Sequence, residues 1–127
     1  MEHAEILPAV NQLEIHVGYT QEAAVSYCKE HGIQVQAWSP LGRRRVLEEP
    51  AVIRIAAKYG VSPAQILLKF LLSQGIAVIP KSSSMNRMKE NLDLPELEIS
   101  KEDLYFLRCL PQTGWGGEHP DLPRVYF

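Results

Sequence analysis

Between residues 78 and 91 the chain runs VIPKSSSMNRMKEN, placing Lys81, three serines and Arg87 ahead of Glu90 and Asn91 at the start of an expected helix. These are the parts of a phosphate site. The first N–H groups of a helix lack intrahelical partners and its dipole favours an anion. Ser82, Ser83 and Ser84 add hydroxyl donors, and Lys81 and Arg87 add charge. A charge-assisted hydrogen bond contributes about 1.5–3 kcal/mol, so two of them change affinity for a phosphorylated ligand by about two orders of magnitude or more. The same residues also read as solvated surface charges beside an ordinary serine cap, and spacing alone leaves both readings open.

Such a cluster needs a scaffold. PAVNQLEIH, with Ala9 to Ile15 behind Pro8, reads as a strand in which Asn11 and Gln12 are the unexpected polar residues. QEAAVSYCKEH reads as a helix capped by Thr20, with Ala24, Tyr27, Cys28 and His31 facing inward and Gly32 stopping it. In IQVQAWS, Ile33, Val35 and Ala37 alternate with Gln34, Gln36 and Trp38, a second strand, before SPLG breaks the run and Arg43, Arg44 and Arg45 cross a loop. PAVIRIAAKYG has Pro50 at a first helical position and Gly60 just past the end. A further helix starts on a capping box of Ser62 and Gln65 around Pro63, with Leu67, Leu68, Leu71 and Leu72 as its apolar face. IAVIP is a short strand apolar on both faces, as expected of a parallel strand covered by helices. KEDLYFLRCL, behind Ser100, is the last helix.

This order is an α/β rhythm with parallel strands, because every crossover is long enough to return the chain. Three strands alone leave two open edges, so the body looks unfinished. The segment QTGWGGEHPDLPRVYF, rich in glycine and proline, reads as irregular, a lid or pocket wall. With 127 residues, 46% apolar and 22% charged, the composition is that of an ordinary globular domain. A net charge of -2 gives no reason to expect nucleic acid or an anionic membrane as partner. No window approaches the roughly 20 apolar residues a membrane span requires, and the start lacks a secretion signal, so a cytoplasmic location is expected. Cys28 and Cys109 form no disulfide or zinc pattern and are expected in the core, and the histidines show no metal-ligand spacing.

IPKSSSMNRMKENLDL, from Ile79 to Leu94, resembles the signature near the C-terminus of the aldo-keto reductases, and PAVNQLEIH and VQAWSPLG are similar to that family's two preceding barrel strands in order and separation. The resemblance covers about residues 8 to 110. It implies part of a (β/α)8 TIM barrel: residues 1–127 as one partial domain, holding the last three parallel strands with their helices in 8–110 and an irregular tail in 111–127. It also implies an NADP(H) site. In that family, the residues at the positions of Gln12 and Trp38 bind the nicotinamide carboxamide and stack on the nicotinamide ring; those at Ser39 and Leu41 meet the pyrophosphate. Lys81, Ser82 and Arg87 then fall to the ribose 2′-phosphate, and Glu90 and Asn91 to the adenine. Without the resemblance, Gln12 and Trp38 read as core residues. No G-x-G-x-x-G follows a strand, so the dinucleotide fold built on that motif has no support.

The chain also departs from the family. Its catalytic tyrosine, aspartate, lysine and histidine belong to the first half of the barrel, and none of Tyr19, Tyr27, Tyr59, Tyr105 and Tyr126 occupies the matching motif. Tyr27, Tyr59 and Tyr105 read as helix-face packing residues. His16 invites a reading as a substitute base but sits where relatives carry a structural histidine, and Val17 replaces a common proline. Asp103 and Glu102 read as first-turn charges favoured by the helix dipole. The arginines read as a solvated loop, with a cofactor role for one of them open. The resemblance thus implies the cofactor-binding portion of an NADPH-dependent reductase of aldehydes and ketones, truncated and inactive alone. The alternative is a non-catalytic nucleotide-binding or interaction module. Expected partners are a small carbonyl substrate for the full-length parent and other copies of the chain, through open strand edges, with neither nucleic acid nor membrane.

Overall fold

The computed structural model describes residues 5–113. Three strands, β1 (Val10–Glu14), β2 (Gln34–Trp38) and β3 (Ala77–Ile79), form a parallel sheet in the order β1-β2-β3. Among the described residues five helices accompany them: α1 (Glu22–Glu30), α2 (Pro50–Tyr59), α3 (Pro63–Leu72), α4 (Met85–Leu92) and α5 (Lys101–Arg108). A 3-10 segment, Gly42–Glu48, replaces the simple loop expected after SPLG.

The register explains which residues face which side. Gln12 lies opposite Gln36, and Gln36 opposite Ala77; Glu14 lies opposite Trp38, and Trp38 opposite Ile79. Paired residues of a parallel sheet share a face, and successive residues alternate. Ile15, Val35, Ala37 and Ile76 are therefore on the other face, buried under the helices with Ile66, Leu67, Phe70 and Leu71 of α3 and Leu107 of α5. Burying one such large side chain stabilises by about 1.5–3 kcal/mol, which is why α3 has so broad an apolar face. The first face carries Val10, Gln12, Glu14, Gln36, Trp38 and Ile79, and most of it is open: Val10 is 52% and Ile79 41% exposed, whereas Glu14 at the end of β1 is buried. β3 is thus not apolar under helices on both sides, as IAVIP alone predicts. One face meets helices and the other is open, as in an arc cut from a barrel.

Helix ends follow local chemistry in most places. Ser62 accepts from Gln65 N–H while the Gln65 side chain accepts from Ser62 N–H, the expected capping box. Gly60 ends α2 with φ of 66°, a left-handed position that glycine takes without strain. α1 differs from expectation. Gln21, not Thr20, takes the N-cap position with φ of 47°, and its amide donates to the Glu14 carbonyl at 2.6 Å. Val25 and Cys28 are the buried residues of α1, whereas Tyr27 and His31 stack on each other at the surface, 4.1 Å between ring centroids. Leu72 and Tyr105 are likewise exposed, and Cys109 lies at the surface instead of in the core. Tyr59 does more than pack: it joins Lys58 and Ser100 around Asp103. Of the expected irregular tail 111–127, residues 114–127, Tyr126 among them, lie outside the described residues. No helix among the described residues is long and apolar enough to cross a membrane.

Candidate functional site

The chain leaves β2 through Ser39, Pro40 and Leu41 and leaves β3 through Pro80, Lys81 and Ser82, so both exits lie at the C-terminal end of the sheet. Between them is a cleft of about 600 Å³. Its walls bring together Ser39, Leu41, Lys81, Ser82, Arg87, Glu90 and Asn91, residues drawn from segments about forty positions apart. Arg43 and Arg44 line it from the 3-10 segment. Among the described residues, Lys81, Arg87, Arg43 and Arg44 thus face a single wall carboxylate, Glu90, and none of these four cations is held in an ion pair. The cleft is electropositive and open to solvent, which suits a phosphorylated ligand.

Its walls are fixed by contacts outside it. Gln65, besides capping α3, donates to the Asp93 carbonyl at 3.1 Å and more weakly to that of Glu90, which anchors the end of α4 on α3. Ser82 Oγ accepts from Ser84 N–H at 3.2 Å and from Arg87 Nε at 3.4 Å. Ser84, at the N-cap of α4, makes no side-chain capping bond, so the first N–H groups of α4 are not taken up by its own cap. On the opposite wall, Gly42 has φ of 56° and packs so closely that an added Cβ would lie 2.2 Å from Val46 Cγ2 and 3.4 Å from His16 Nδ1. Ser39, Arg43 and Arg44 also have positive φ, at 52°, 51° and 76°. Non-glycine residues in that region cost about 1–3 kcal/mol each and are held there only by their surroundings.

Gln12 and Trp38 lie beside this cleft, on the open sheet face, and do not line it. The Gln12 amide donates to Gln36 Oε1 at 2.7 Å. Trp38 is half-buried, and the Arg43 guanidinium lies 5.9 Å from its ring centroid. Arg43 and Arg44 are cleft residues that motif matching passes over; the signal available was the run of cations directly after SPLG. His16 is not at the cleft. It is 2% exposed, and its Nδ1 lies 2.8 Å from the Val17 carbonyl, which can only accept, so Nδ1 carries the hydrogen. Its Nε2 lies 3.5 Å from the Glu14 carboxylate.

An arc of parallel β/α units with an electropositive cleft at its strand ends is the arrangement of part of a β/α barrel, and comparison with known proteins gives the family. The family model for the aldo/keto reductase family matches residues 1–108, and the chain belongs to that family. Glyoxal reductase of Bacillus subtilis is 40% identical over 95% of this chain and 44% of its own length. An uncharacterized oxidoreductase of the same organism, YtbE, is 40% identical over 95% of this chain and 43% of its own. Among solved structures, a mutant of Gox0644 in complex with NADPH superposes with a TM-score of 0.92, covering 98% of this chain and 46% of that one at 32% identity. The aldose reductase of Schistosoma japonicum gives 0.88 at 32% identity, covering 96% of this chain and 42% of that one. The chain therefore spans less than half the length of these relatives, and its three-stranded sheet is part of a (β/α)8 barrel.

Proposed function

We propose that this chain is the C-terminal, cofactor-binding portion of an NADPH-dependent reductase of aldehyde or ketone carbonyls. The observation that carries the reading is the single cleft that gathers Lys81, Ser82 and Arg87 at one side and Ser39 and Leu41 at the other. Lys81 and Arg87 hold the ribose 2′-phosphate, Ser39 and Leu41 meet the pyrophosphate, and Glu90 and Asn91 border the adenine. Gln12 and Trp38, on the adjoining open face, take the nicotinamide, an amide against an amide and an indole against a flat ring. The residues fit the group, because the cleft offers four cations to a ligand of several negative charges. The cofactor supplies the hydride; these residues bind and orient it.

The same reading makes the chain inactive alone. Hydride transfer to a carbonyl needs a proton donor within hydrogen-bond reach of the oxygen. Among the described tyrosines, Tyr59 is engaged with Asp103 and Ser100, Tyr27 and Tyr105 stand on outer helix faces, and Tyr19, bridged to His16 through the backbone, does not line the cleft, so none serves. The outer edges of β1 and β3 pair with nothing in the described sheet, which favours self-association and keeps open a non-catalytic nucleotide-binding module. Titration with NADPH and NADH, followed by nicotinamide fluorescence, tests the cradle. NADPH is expected to bind at least about tenfold tighter, and Lys81→Met to remove most of that preference while leaving NADH little changed. Equal affinities in the parent chain would overturn the assignment of Lys81 and Arg87.

A further inference from the structure

Arg43 belongs to two places at once. It lines the anion cleft with Lys81 and Arg87, and its guanidinium covers the indole of Trp38, a residue that does not line the cleft. Its backbone φ of 51°, next to Arg44 at 76°, sets this side chain at the boundary between the cleft and the open sheet face. We propose that Arg43 couples the two: its guanidinium covers one face of Trp38 until an anion on the 3-10 wall draws it into the cleft, which uncovers the ring. An exposed cation–π contact is weaker than a charge-assisted hydrogen bond, so the anion wins the competition. Arg44 shares the wall but makes no ring contact among the described residues, so the coupling falls to Arg43. The ligand that exploits this carries a phosphoryl group and, beyond it, a flat ring. Phosphate capture then prepares the aromatic platform before the ring arrives, a sequence that rests on reading the cleft as a dinucleotide cradle.

The test uses 15N-labelled chain carrying Trp115→Phe, which leaves Trp38 as the remaining tryptophan. The Trp38 indole N–H signal is followed while inorganic pyrophosphate is added. It is expected to move saturably in the parent. In Arg43→Ala the signal should already stand displaced before addition and stay unmoved by pyrophosphate. Arg43→Gly, which relieves the backbone strain as well, should behave like Arg43→Ala. Identical signals in parent and variants, or equal movement on adding pyrophosphate, would overturn the coupling. Adenosine 2′,5′-bisphosphate, titrated separately with and without Lys81→Met, reports the 2′-phosphate end. If it binds in a Lys81-dependent way while Trp38 ignores Arg43, the coupling alone is wrong. If neither anion binds, the cradle is wrong too and both readings fall.

Discussion

Tyr59 donates its hydroxyl hydrogen to Asp103 Oδ2 at 2.6 Å and accepts the N–H of Ser100 at 2.9 Å, joining the last turn of α2 to the first turn of α5. Lys58 Nζ meets the same carboxylate oxygen at 2.6 Å, and Ser100 Oγ lies 3.1 Å from it. The bond from Lys58, then that from Tyr59, holds the Asp103 carboxyl below its ordinary value of 3.8. A depressed carboxylate contributes stability above its unfolded pKa and loses it as pH falls through the folded one. Denaturant midpoints of the parent and Asp103→Asn are therefore expected to differ most above about pH 4 and to converge as pH drops below 3.8. Tyr59→Phe should cost about 1–3 kcal/mol at neutral pH, since it strips a partner from both Asp103 and the Ser100 N–H. A gap between parent and Asp103→Asn that persists unchanged to pH 2 would contradict the assignment.

Gly42→Ala tests the rigidity of the 3-10 wall. The new methyl group meets the branched Val46 side chain, which cannot bend away, and the residue must also keep φ of 56°. The substitution is expected to lower stability by about 2 kcal/mol or more. Gly42→Ala with Val46→Ala should recover part of that loss, because the clash is removed while the backbone strain remains. Chemical denaturation of the two variants checks this, and a double variant no better than additive removes the clash as the cause.

Gln65 has two duties, and substitution separates them. Ser62→Ala breaks only the cap of α3 and should cost about 0.5–2 kcal/mol. Gln65→Ala also releases the carbonyls of Asp93 and Glu90, so α4 loses its anchor on α3. Amide exchange in α4 is expected to speed up in Gln65→Ala and not in Ser62→Ala, with weaker NADPH binding in the former although Gln65 lies outside the cleft wall. Similar exchange in both variants would leave the bridge without a role.

Local signals made much of this legible. Gly60, the Ser62–Gln65 box and the alternation of Val35 and Ala37 with Gln36 and Trp38 each depend on neighbours within a few residues, and each appears as read. Thr20 failed as a cap because Gln21 takes the left-handed backbone and turns its amide to Glu14, seven positions back. Tyr59 reads as a packing residue in the sequence because its partners Ser100 and Asp103 lie more than forty positions away, beyond any local pattern. The arginine run was legible as charge but not as cleft wall, since that depends on backbone angles that few non-glycine residues adopt.

The sequence by itself determined the parallel β/α order, most of the helix ends and the family, because periodicity, capping and motif spacing are properties of short stretches. Only the tertiary structure decided that the exits of β2 and β3 close on one cleft, that Arg43 and Arg44 enter it, and that Gln12 and Trp38 stand beside it on an uncovered face. Those outcomes follow from strand register and from contacts between distant segments, which fix where a side chain points once the sheet is assembled.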